Sequence, residues 1–288
     1  MTNFSIGVMV DSFRLDFKEG IKKSVEVGAE GIQIYATKGR MAPENLNAKE
    51  RREILDIINS NGLVVSALCG DLGGHGFAVE KDNEWKIEKS KRIMDLAKDL
   101  QCNIVTTHIG VIPQEDCAKR KIMQEACEIL GEYGDNVGAY FAIETGPETA
   151  VVLKDFLDSL SSKGVKVNYD PANLVMVTGD DPVKGVLTLR DYIVHTHAKD
   201  GVMLKKSDPQ KIYDMFAEGG IEDSYFAQFF LETPLGEGKV DFDEYLKALN
   251  SIGYKGFLTI EREVGENPER DISAAVEFLK NKIKLGGL

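Results

Sequence analysis

The sequence predicts a single (β/α)8 barrel, residues 1–288, with an extended loop between its seventh and eighth strands. Three observations carry that expectation. Short β-branched apolar runs alternate with amphipathic helical stretches, eight times over. The runs are continuously apolar, the mark of parallel strands covered by helices on their outer face. No G-x-G-x-x-G follows any of them, which argues against an open dinucleotide-binding sheet. The length of 288 residues suits one such barrel, typically of ~250. No linker, low-complexity segment or composition shift divides the chain.

The units follow in order. "FSIGVMV" (4–10) precedes the helical "DFKEGIKKSVEVG", and "GIQIYA" (31–36) precedes "NAKERREILDIINSNG". "LVVSAL" (63–68) is followed by "EWKIEKSKRIMDLAKDL", and "NIVTTHI" (103–109) by "KRKIMQEACEILGEYG". "AYFAIE" (139–144) leads to "TAVVLKDFLDSLSSKG", and "VKVNYD" (165–170) to "PVKGVLTLRDY". "IVHTHA" (193–198) comes next, then "DFDEYLKALNSIG", the last strand "GFLTIE" (256–261) and a closing helix near 268–284. Most of the helical stretches end in glycine or asparagine, where a left-handed C-cap belongs. The interval 199–255 is about sixty residues, roughly twice the usual spacing, and sits on the face where barrel active sites form. It is expected to act as a lid or substrate wall, against the plainer alternative of an extra packing helix.

Composition narrows the function. The net charge of −12 opposes binding to a nucleic-acid backbone, whose affinity comes mainly from Lys and Arg. No apolar stretch approaches the ~20 residues of a membrane span, and the N-terminus lacks the basic and apolar regions of a signal peptide. Cys69, Cys102, Cys117 and Cys127 fall in no CxxC pair, as reduced cytosolic thiols would. A cytoplasmic protein with a small-molecule substrate, and neither a nucleic-acid nor a membrane partner, is the expectation.

Polar residues at the C-terminal ends of barrel strands are candidates for chemistry. In order these are Asp11, Tyr35, His108, Glu144, Asp170, His197 and Glu261. A carboxylate that ends a buried apolar strand is costly unless it is paired or bound to a cation. Each alone reads as a salt-bridge or helix-capping partner, but Glu144, Asp170, His197 and Glu261 end four consecutive strands. Three carboxylates and one imidazole form an oxygen-rich set for one divalent ion. They favour Mn2+, Mg2+ or Co2+, with Zn2+ or Fe2+ as further candidates. His195 shares a strand face with His197 but lies about 6–7 Å deeper at ~3.3 Å per residue. That places it as a brace beneath the ligand, not as a second ligand.

The ordered set "FAIETG", "VNYDPANL", "VHTHAKD", "LGEGKVDF" and "FLTIERE" resembles the xylose-isomerase-like TIM-barrel superfamily. This sugar phosphate isomerase/epimerase group also contains endonuclease IV, and the resemblance covers nearly the whole chain. It implies Glu144, Asp170, His197 and Glu261 as metal ligands, with the two glutamates also catalytic. It implies that His108, in "THIG", lines the site, and that Glu237, in "GEG", lies on a loop returning toward it. The sequence also departs from the pattern. Where epimerases and endonuclease IV carry Asp-x-x-His, this chain has Asp170-Pro171-Ala172-Asn173, and Asn173 can hydrogen-bond a substrate but cannot ligate as imidazole does. The arginine that those epimerases place after the strand-seven histidine is also missing; Met203 stands about there, with Lys205 and Lys206 near.

These residue types suit chemistry beside a carbonyl. A divalent ion chelated by the carbonyl and neighbouring hydroxyl oxygen of a ketose acidifies the carbon between them. Glu144 and Glu261, on opposite faces, would remove and return the proton. A metal-dependent isomerase or epimerase of a free or phosphorylated sugar is the first expectation. The alternative is a lyase that expels a β-leaving group, as in inosose dehydration or cleavage of a keto-glycoside. A non-catalytic sugar-binding protein or partner subunit is a third reading, and a homodimer is an arrangement related barrels take. Around the centre, His75, Tyr35, Lys199 and Asn173 are candidate substrate contacts, with Glu237 and His108. Trp85 and Phe13 read as sugar walls or plain packing residues, and Lys199 with Asp200 as orienting groups or a loop ion pair. Glu263 reads as a salt-bridge partner, and Arg262 as turned outward.

Overall fold

The computed structural model describes residues 4–219 and 223–287. Its first strands are β1 (Ser5–Met9), β2 (Gly31–Tyr35), β3 (Val64–Cys69) and β4 (Ile104–Thr107). They alternate with α1 (Phe17–Glu26), α2 (Ala48–Ser60), α3 (Glu80–Asp99) and α4 (Ala118–Val137). Then come β5 (Tyr140–Glu144), α5 (Ala150–Asp158), β6 (Val165–Tyr169), the single turn α6 (Pro171–Asn173), α7 (Pro182–Thr188) and β7 (Ile193–Ala198). The long connection holds β8 (Asp200–Met203), α8 (Pro209–Glu218), α9 (Asp223–Phe226) and β9 (Phe230–Thr233). The chain closes with α10 (Phe242–Ser251), β10 (Phe257–Ile260) and α11 (Pro268–Gly286).

The barrel closes in the order β1-β10-β7-β6-β5-β4-β3-β2, each neighbouring pair parallel. All eight expected strands are there, each within a residue or two of its apolar run. Local chemistry sets the helix starts. Asn47 and Glu50 form a reciprocal capping box at α2, while Asp16 and Asp181 accept first-turn N–H groups at α1 and α7. Gly138 ends α4 in the left-handed region, at φ 69°.

The long connection is present and carries more structure than the sequence signals. It is not a loop with a packing helix alone, because β8 and β9 pair antiparallel as a separate two-stranded sheet, Asp200 opposite Thr233 and Met203 opposite Phe230. Residues 220–222 of this connection lie outside the described residues.

The barrel interior is apolar at its floor and polar beneath its mouth. Phe257 of β10 fills the floor because β2 offers no side chain there: a Cβ on Gly31 would stand 2.4 Å from the Phe257 ring. Above it, Gln33, Thr106, Asn168, His195 and Thr259 are all buried. Each finds a partner within this layer, as buried polar groups must. Among the described residues, no helix is long and apolar enough to cross a membrane.

Candidate metal centre

Glu144, Asp170, His197 and Glu261 come together at the C-terminal mouth, one from the end of each of four adjacent strands. All are buried, and each offers a ligand atom within 4.8 Å of the others. His197 Nδ1 lies 3.6 Å from Glu144 Oε1, 3.7 Å from Asp170 Oδ2 and 3.4 Å from Glu261 Oε2. Both His197 Nδ1 and Asp170 Oδ2 are buried without a hydrogen-bond partner among the described residues. Two orphaned donor atoms facing two glutamates across a few ångströms is the arrangement a bound cation satisfies. The cluster is positioned to chelate a single divalent metal ion.

The local sequence explains the aim of each ligand. Asp170 caps α6: its Oδ1 accepts from Ala172 N at 2.8 Å and Asn173 N at 3.1 Å, and Pro171 fixes the first helical position. That engagement leaves Oδ2 for the centre. His197 Nε2 stands 3.1 Å from Gln33 Oε1; assigning the ring hydrogen there directs the Nδ1 lone pair toward the carboxylates. Glu144 is held by two amides, Asn168 Nδ2 donating to Oε2 at 3.0 Å and Asn173 Nδ2 to Oε1 at 3.1 Å. Glu261 is held instead by a cation, Lys199 Nζ at 3.0 Å.

The electrostatics follow from this crowding of carboxylates. Burial opposes charge on His197, but Glu261 and Glu144 outweigh it and raise its pKa well above the ordinary value. Burial also works against ionised Glu261, yet Lys199 and His197 pull its pKa well below the carboxylate range. His195 goes the opposite way: burial, and then the charge of His197, lower its pKa and keep it neutral. Its Nδ1 lies 2.8 Å from Asn168 Oδ1 and its Nε2 3.0 Å from Thr259 Oγ1. Its ring packs edge-on against that of His197, centroids 5.8 Å apart, and it supports Glu144 through Asn168.

The second-tier residues divide. His108 reaches the centre, with Nε2 3.7 Å from Glu144 Oε1 and Nδ1 2.9 Å from Asp71 Oδ2. Burial disfavours its charge, but Glu144 and Asp71 raise its pKa to about 10. Asn173 braces Glu144. Tyr35 ends β2 at the rim, and Asp11 Oδ2 accepts its backbone N–H at 3.0 Å. His75 is half exposed, 3.3 Å from Asp214 Oδ1 on α8. Lys199 is buried against Glu261, Glu232 and Glu263. It forms no loop pair with Asp200, whose two oxygens accept four backbone N–H groups, from Gly201, Gly236, Gly238 and Val240, at 2.8–3.0 Å. Glu263 pairs with Lys199, and Arg262 points away from the mouth into a buried pair with Glu232 at 2.6 Å and Asp271 at 3.1 Å. Phe13 is buried in the core, and Trp85 is 51% exposed on α3.

Glu237 does not return to the centre as the motif implied: it is exposed at the tip of the turn after β9. The buried glutamate of that connection is Glu232 on β9, within 3.8 Å of Lys199. Two further residues escape a motif reading. Tyr213 of α8 lays its ring 5.9 Å from that of His108, and its hydroxyl covers Gly146, where a Cβ would stand only 2.5 Å away. Glu148, on the β5–α5 loop, is buried with Oε2 unpartnered, and burial pushes its pKa up to about 8. No local signal in the sequence marks Glu232, Tyr213 or Glu148.

A family model described as a xylose isomerase-like TIM barrel matches residues 21–282. Among curated relatives, an inosose dehydratase of Bacillus velezensis is 29% identical over 140 residues, covering 47% of this chain and 43% of its own length. The chain thus spans less than half the length of the first such relatives it matches. Among solved structures, a xylose isomerase domain protein from Planctomyces limnophilus superposes with a TM-score of 0.79 at 21% identity, over 99% of this chain and 98% of that one. The probable 3-DHS dehydratase AsbF of Bacillus anthracis gives 0.75 at 22% identity, over 96% and 99%. With the family match spanning most of its length, this chain belongs to the xylose isomerase-like TIM-barrel family.

Proposed function

We propose that this protein is a metal-dependent dehydratase that removes water from a polyhydroxylated keto-ring, a keto-cyclitol or keto-sugar. The observation that carries the reading is the Asp71–His108 pair set against Glu144. Isomerisation moves a proton between neighbouring carbons and epimerisation returns one to the opposite face of the same carbon, which Glu144 and Glu261 alone would serve. Elimination also needs a donor for the departing hydroxide, and an imidazole held by a carboxylate is suited to give one. The inosose dehydratases among the relatives support this reading over the isomerase that residue types alone put first.

A divalent ion at the centre, when bound, polarises the substrate carbonyl and acidifies the adjacent C–H. Glu144 and Glu261 approach that carbon from opposite sides of the mouth, and one of them takes the proton. The C–H electron pair forms the new C=C bond as the β C–O bond breaks, and the hydroxide leaves as water with a proton from His108. Tyr213 and α8 cover the His108 side and limit the entry of bulk water. Lys199 holds Glu261 ionised and fixed in orientation.

The test is to incubate the Mn2+-loaded protein with inosose and with ketohexoses in D2O. Metal-dependent appearance of an enone, abolished by EDTA, is the expected result. Solvent deuterium in recovered ketose or its epimer, with no enone from any substrate, would replace the dehydratase by the isomerase.

A further inference from the structure

A groove of about 680 Å³ opens beside the metal centre, between the loops after β2 and β3 and the outer face of α3. That volume lies within the range of small-molecule sites, ~300–1,000 Å³. Its inner end is Tyr35 and Asp71, and Asp71 is the residue that holds His108. The outer end is formed by Trp85, Lys89 and Arg92, spaced i, i+4 and i+7 on one face of α3, with Lys38 opposite. Nothing in the proposed chemistry uses this outer end.

Its charge runs against that of the molecule. The chain carries −12, yet the groove gathers three cations against two carboxylates, Glu44 and Asp71. Both carboxylates are engaged, Glu44 by Lys89 and Asp71 by His108. Among the described residues, neither the Lys38 ammonium nor the Arg92 guanidinium pairs with a carboxylate; Arg92 makes one bond, to Glu88 O at 3.3 Å. Trp85 lines the same groove, 51% exposed. Lys86 Nζ lies 5.6 Å from its ring centroid but is tied down by the carbonyls of Gly73 and Gly76. A half-exposed indole beside two unpaired cations is a surface that takes a ring carrying an anion.

We propose that this groove is a second subsite of the substrate pocket, in which Trp85 stacks on a ring and Lys38 and Arg92 hold a phosphate or carboxylate at the far end of the substrate. The inference rests on the metal centre as the place of reaction and narrows the substrate class to anionic keto-ring compounds or their conjugates.

Trp85 is the only tryptophan, so its fluorescence reports on the groove without any turnover. The Mn2+-loaded protein is titrated at constant ionic strength with glucose 6-phosphate, glucuronate, glucose and inorganic phosphate, and the titration is repeated in EDTA. A saturable change is expected with at least one anionic sugar, at least tenfold tighter than with glucose. Lys38→Ala with Arg92→Ala should weaken it tenfold or more. Which anionic sugar binds more tightly assigns the group as phosphate or carboxylate. Equal binding of all three sugars, no response to any, or an unchanged response in the double variant overturns the proposal. Inorganic phosphate reproducing the whole effect removes the stacked ring. Failure of elimination alongside a successful titration sinks the dehydratase reading alone.

Discussion

Lys199 Nζ lies 3.0 Å from Glu261 Oε2, and the same ammonium meets Glu263 and, at 3.8 Å, Glu232. One buried cation thus meets three carboxylates, one of them a member of the metal-binding set, and shares Glu232 with Arg262. Burial disfavours the charge on Lys199, but these carboxylates hold its pKa well above the ordinary lysine value. Removing one partner of such a group leaves buried charge uncompensated, at a cost of about 3–5 kcal/mol. Lys199→Met should therefore lower the unfolding free energy extrapolated from urea curves by that amount and misplace Glu261 as well. A variant as stable as wild type would show that Glu261 does not depend on this lysine.

Glu144→Gln and Glu261→Gln each remove a negative donor from the metal-binding set and a candidate acid or base. Both should abolish turnover, with a loss beyond about 10³-fold, since general acid–base catalysis alone contributes 10²–10⁴. Calorimetric titration of Mn2+ should show weakened binding in both. Because His197 Nδ1 must be unprotonated to ligate, affinity in the wild type should fall as pH drops. Chelation of the ion should lower the melting temperature through loss of that binding energy. Near wild-type activity in either glutamine variant would end the two-carboxylate mechanism.

His195 and Asn168 test the layer below. The chain from Thr259 through His195 and Asn168 to Glu144 consists of bonds of 3.0, 2.8 and 3.0 Å. Asn168→Ala should reduce metal affinity by 10–100-fold, the usual effect of losing a partner that orients a ligand. His195→Gln, which can keep one of the two bonds, should be affected less. A variant with intact metal affinity but lower stability would make the layer structural only.

The barrel and the four-residue cluster at its mouth were legible because both leave local signals. Buried parallel strands are continuous apolar runs, and a carboxylate at the end of "FAIE" or "FLTIE" contradicts its surroundings unless something binds it. The depth of His195 followed from the strand repeat alone. What was not legible came from the 199–255 connection. Lys199 and Asp200 are neighbours in sequence, yet Lys199 turns to Glu261 while Asp200 gathers three backbone N–H groups from the turn after β9, besides that of Gly201. That division depends on the β8–β9 pairing, which brings Glu232 opposite Gly201. Glu237 looked like the inward glutamate because the "GEG" motif is visible, whereas Glu232 is picked out only by the register of two distant strands.

Glu148 gives a prediction in pH. Burial raises its carboxyl pKa from 4.5 to about 8, and no partner reaches its Oε2. The unfolded chain ionises this group above its ordinary pKa, while the folded chain keeps the proton until about pH 8. Between these values the unfolded state binds fewer protons, so stability falls as pH rises through the window and levels off above it. The contribution is on the order of 5 kcal/mol, given about 1.4 kcal/mol per pKa unit. Glu148→Gln removes the titration but keeps the shape and an unsatisfied polar end, so its stability at a single pH is uninformative. Its difference from wild type across pH is the readout. Urea unfolding of both proteins from pH 5 to pH 8 should show the variant gaining steadily on wild type. Parallel curves would mean that Glu148 is ionised in the folded protein and that its charge is balanced by His108, whose field reaches it.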